Sequence, residues 1–82
     1  MERYELSTQR ELFKILEDAI QREDDAHDIY AHAAEHTDDP TVKEFLMNLA
    51  AMEHEHHLLL ENKLNELKAV AELQDEINDT CA

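Results

Sequence analysis

The chain has 82 residues, with 21 acidic against 7 basic side chains and a formal net charge of −14. That balance excludes nucleic acid and anionic membrane surfaces as partners, since both gather Lys and Arg, and it favours cations. One cysteine, Cys81, excludes an internal disulfide and any cysteine-built zinc or iron–sulfur site.

No apolar run approaches the ~20 residues of a membrane span, and no secretory signal is visible, so a cytoplasmic protein is expected. With no glycine and one proline, the chain lacks the turn residues that hairpins of strands need. Its abundant Ala, Leu, Glu and Lys favour helix. The expected fold class is all-α, a single domain over residues 1–82. A domain this small covers its apolar face poorly by itself.

The first helix is expected from about residue 8 to 36. Thr8-Gln9-Arg10-Glu11 fits a capping box, a hydroxyl residue followed three positions on by Glu. Its apolar stripe runs Leu12, Leu16, Ala19, Glu23, Ala26, Tyr30, Ala33, widened by Phe13 and Ile20. The stretch HTDDP then breaks the pattern; Asp39 suits a cap and Pro40 the first turn of a second helix.

The second helix is expected from 40 to 67 or beyond. Its stripe runs Val42, Leu46, Leu49, Glu53, His56, Leu60, with Phe45, Met52 and Leu59 beside it. Val70, Leu73 and Ile77 carry the spacing into a C-terminal helical tail or a short third helix. Only three strongly polar residues interrupt the two stripes: Glu23, Glu53 and His56. Charged groups at core positions are costly unless something pairs with them.

The short connection predicts an antiparallel hairpin. If the chain reverses near residue 38, Glu23 stands level with Glu53, Leu16 with Leu60, and Tyr30 with Leu46. His56 then lies one turn along from Glu53. A Glu-x-x-His pair plus a Glu from the facing helix is half of a carboxylate-bridged dimetal centre. A two-fold dimer of hairpins would duplicate every group and give a four-helix bundle with four carboxylates and two imidazoles. Their charge neutralises two divalent ions, and the donor set suits iron, with manganese or zinc as alternatives.

The residues Glu23-x-x-Ala26-x-x-x-Tyr30 in EDDAHDIY, followed by Glu53-x-x-His56 in EHEH, resemble the first half of a ferritin-like, rubrerythrin-type protein. The likeness covers roughly residues 12–67, the Asp-Pro turn included. It implies that Glu23, Glu53 and His56 are iron ligands and that Tyr30 is a neighbouring group supporting them. A second Glu and a second Glu-x-x-His are absent from the chain, as is a C-x-x-C pair for a rubredoxin-type electron donor. A hairpin with half a site is similar to the encapsulated ferritins. These form rings of two-helix subunits, bind and oxidise iron between subunits, and pass it to a surrounding protein shell, an encapsulin-type compartment. No shell-targeting peptide is recognisable in DEINDTCA, which leaves a free-standing half-ferritin or a chain that has lost such a tail.

The remaining histidines read differently. His57 is one residue off the stripe and is a candidate for the rim of the centre. His27, four residues after Glu23, is a candidate secondary metal ligand. His54 is expected at solvent or an interface, and His32 and His36 as ordinary surface residues near the turn. Asp24, Asp25 and Asp28 form a solvated acidic face able to draw Fe2+ inward. The expected function is a di-iron ferroxidase, oxidising Fe2+ with O2 through Glu23, Glu53 and His56 in a homodimer or larger ring. The alternatives are a rubrerythrin-like peroxidase with an external electron donor, and a metal-free oligomerisation module.

Overall fold

The computed structural model describes residues 9–81, with side chains from 9 to 73. It is a hairpin of two helices, α1 (Gln9–His36) and α2 (Pro40–Cys81), packed against each other. Thr8, and with it the capping box expected at the start of α1, lies outside the described residues.

The reversal needs only residues 37–39, and it needs no glycine. No non-glycine residue described has a positive φ. Asp39 does the capping. Its Oδ1 accepts hydrogen bonds from the backbone N–H of Thr41 at 2.9 Å and of Val42 at 3.3 Å. Its carbonyl accepts from the Lys43 N–H at 2.9 Å. The side chain thus satisfies two donors that the first turn of a helix leaves without partners. Pro40, whose missing N–H costs nothing at this position, opens the helix.

α2 continues without interruption to Cys81. The tail after Leu67 is therefore one piece with the helix rather than a separate third one. Nothing between 41 and 81 breaks it, since the single proline sits at the start and glycine is absent.

The hairpin is a single layer, 13 Å in its thinnest dimension, close to the diameter of one helix with its side chains. Among the residues whose side chains are described, the buried apolar ones are Ala34, Ala50, Leu64 and Ala71. On α2 the side packed against α1 reads Leu46, Ala50, Glu53, His57, Leu60, Leu64, Leu67, Ala71, in alternating steps of four and three, every one buried or half-buried. Beside it runs a second stripe of the same period: Val42, Phe45, Leu49, Met52, His56, Leu59. Leu49 is half-buried and the others are exposed, Phe45 at 61% and Leu59 at 69%.

The stripe legible in the sequence mixes these two. α1 settles on the side that carries Ala50 and Ala71, because small side chains let helix axes approach closely. The bulky Phe45, Met52 and Leu59 are left on the neighbouring face. His56 consequently stands half exposed rather than at a core position.

The pairing between helices also runs further along α2 than equal heights about residue 38 require. Asp24 meets His57, His27 lies beside His54, and Phe13 beside Lys68, each five residues beyond the equal-height position. Side chains lean towards the N-terminus of their own helix, so in an antiparallel pair they meet only when the α2 residue starts further from the turn.

Candidate metal centre

Glu23 comes from the middle of α1; Glu53 and His56 come from one face of α2, three residues apart. One donor atom from each lies within 4.8 Å of the other two. His56 Nδ1 is 3.5 Å from Glu23 Oε2 and 3.7 Å from Glu53 Oε1. The two carboxylates are largely covered, with side chains 23% and 21% exposed, while the imidazole is 51% exposed. Glu53 belongs to the stripe packed on α1, and His56 to the uncovered stripe beside it.

The electrostatics of the pair are strained. The Glu53 carboxyl titrates above its ordinary value of 4.5. The main cause is a hydrogen bond to Glu23, which requires a proton between two groups that only accept when ionised. Partial burial and repulsion from Glu23 push the same way, and the nearby His56 opposes them. Glu23 Oε2 is buried without a hydrogen-bond partner. A buried acceptor left unpaired is unfavourable by about 1–3 kcal/mol, and a cation bound between the three donors would satisfy it. Two carboxylates and one imidazole form a donor set suited to iron, so the residues present fit such an ion.

The other residues singled out in the sequence fall around this group. Tyr30 is half-buried on α1, seven residues from Glu23 and so about 10 Å along the axis; it is not among the converging three. His57 is half-buried, and its Nδ1 lies 2.6 Å from Asp24 Oδ1 on the opposite helix, with its Nε2 3.6 Å from Glu61. The Asp24–His57 pair therefore runs beside Glu23–His56, one residue further along each helix. Asp24 is half-buried rather than part of a solvated face, while Asp25 and Asp28 are exposed.

His27 is 3.2 Å from Asp28 Oδ1, and its ring centroid lies 6.3 Å from that of the exposed His54. These two rings border an open groove of about 500 Å3 between the helices, floored by Ala31, Ala34 and Ala50. Neither His27 nor His57 joins a converging donor group among the described residues. His32 and His36, which read as plain surface positions in the sequence, do join one, together with Glu35. The signal for it was the His-x-x-Glu-His spacing.

No described helix is long and apolar enough to cross a membrane. No curated protein and no solved structure gives a significant match to the chain. A family model does: the rubrerythrin model matches residues 14–80, a span that includes Glu23, Glu53, His56 and nearly all of both helices. The chain belongs to the rubrerythrin family, whose ferritin-like helical domains bind iron.

Proposed function

We propose that two hairpins associate through the uncovered stripe of α2, bind two iron ions between them, and oxidise Fe2+ with O2. The observation that carries this reading is the orphaned Glu23 Oε2, held 3.5 Å from His56 Nδ1 with Glu53 alongside. One chain offers two carboxylates and one imidazole. A two-fold partner doubles the set, and four carboxylates balance the charge of two Fe2+. The single-layer thickness and the exposed Phe45, Met52 and Leu59 support a second layer.

Iron is the substrate here. Two Fe2+ give one electron each to O2, and two protons complete hydrogen peroxide. The chain's own groups do the positioning: Glu23 and Glu53 take up the positive charge, and His56 contributes a neutral nitrogen donor at the subunit boundary.

The test is anaerobic Fe2+ titration followed by oxygen, reading iron per chain and the rate of Fe3+ formation. One iron per chain is expected, and Glu23→Ala should abolish both signals. Oxidation and stoichiometry that survive Glu23→Ala would refute the ligand set, and a chain that stays metal-free in excess Fe2+ is the adaptor module instead. The family match favours one further reading, in which peroxide takes the electrons. Oxidation much faster with H2O2 than with O2, turning over only with an added reductase, would establish that peroxidase in place of the ferroxidase.

A further inference from the structure

At the end of α1 nearest the turn stands a second group of donors. His32, Glu35 and His36 occupy positions i, i+3 and i+4, so they share one face of the helix. A donor atom from each lies within 4.8 Å of the others, and all three residues are exposed. The two imidazole centroids are 4.2 Å apart.

One contact fixes the chemistry of this group. His36 Nδ1 lies 2.8 Å from the backbone carbonyl oxygen of His32. A carbonyl can only accept, so the ring donates through Nδ1 and its lone pair resides on Nε2. Histidines that bind metals are commonly held in this way, with the nitrogen not used for the metal donating to a backbone carbonyl. The location adds a second contribution. α1 ends at His36, and the unpaired carbonyls of a helix C-terminus carry a partial negative charge that favours a cation.

We propose that His32, Glu35 and His36 form a solvent-facing site for a late first-row divalent ion, Zn2+ or its Ni2+ and Cu2+ neighbours, with water filling the remaining positions. Two imidazoles and one carboxylate bind these ions more tightly than Fe2+, following the rise in affinity across the row. The His-x-x-Glu-His spacing is also one from which zinc enzymes draw two histidine ligands. The site is separate from the iron centre: His36 is thirteen residues from Glu23, about 20 Å along the helix axis. It stands independently of the ferroxidase reading, because none of its ligands is shared with that centre.

The experiment is calorimetric titration of the full chain with Zn2+ in a Glu23→Ala background, which disables the interior centre. Imidazole NMR of the otherwise native chain runs alongside. One equivalent of Zn2+ is expected, and it should shift the ring resonances of His32 and His36. His32→Ala leaves the backbone carbonyl that orients His36 in place, and it should weaken binding at least about tenfold. His36→Ala should do the same, with circular dichroism confirming that the hairpin remains helical. Unchanged Zn2+ affinity in both variants overturns the site, and so do resonance shifts confined to His27, His54, His56 or His57.

Discussion

Leu59→Ala separates the two faces of α2. Leu59 is 69% exposed in the hairpin, so within one chain its truncation removes little packing, and alanine is at least as good a helix former. In the proposed dimer the same side chain lies on the stripe that a partner covers. Full burial of a leucine is worth ~1.5–3 kcal/mol, so covering the exposed two thirds contributes roughly 1–2 kcal/mol per chain. A two-fold interface counts it twice, and at 1.4 kcal/mol per tenfold the dimer dissociation constant should rise about 30- to 700-fold. Sedimentation equilibrium across a dilution series of the metal-free chain measures this directly. Leu64→Ala is the internal comparison: Leu64 is 6% exposed, buried between α1 and α2, and should lose ~2–5 kcal/mol of folding stability in urea melts. A Leu59→Ala dissociation constant within about twofold of the native one, the ordinary scatter of such comparisons, would refute the assignment of this stripe to the interface.

Two further outcomes follow from the hairpin itself. The folded metal-free chain holds Glu53 above 4.5, so folding favours its protonated form; that contribution is complete below pH 4.5 and disappears as pH rises through the raised value. In chelator, the native melting temperature should therefore fall relative to that of Glu53→Gln as pH increases across this window, and a difference independent of pH would contradict it. Asp39→Ala removes the acceptor bonded to the Thr41 and Val42 amides and should destabilise the chain by about 0.5–2 kcal/mol in thermal melts. Asp39→Asn, which keeps an acceptor, should recover most of that loss.

The helices, the turn with its Asp39 cap and the Glu23–Glu53–His56 group were legible from local pattern, because apolar period, capping chemistry and polar interruptions of a stripe are all written along the chain. The phase of packing was not. Positions 42, 46, 49, 53, 56 and 60 satisfy the same period as either observed stripe, and only the close approach at Ala34 and Ala50 decides between them. The inter-helix offset was hidden for a related reason: levels of Cα atoms follow from the turn, whereas contacts follow from where side chains lean. Asp24 reads as one more acid in an acidic run until the opposing helix brings His57 to 2.6 Å. His32 and His36 needed the backbone as well, since the bond from His36 Nδ1 to a carbonyl one turn back defines which nitrogen is free.

The contact with Glu23 that raises the Glu53 carboxyl above its ordinary value has a consequence for the proposed iron centre. In the proposed centre an incoming cation would compete with any proton these carboxylates share, so loading would exchange one cation for another wherever that proton is present. Uptake at the proposed centre would then release acid, and its iron affinity would weaken as falling pH protonates Glu53. In the proposed centre iron and proton thus compete for the same oxygens, and the hydrogen bond to Glu23, helped by partial burial and by repulsion from Glu23, tilts that competition towards the proton at Glu53.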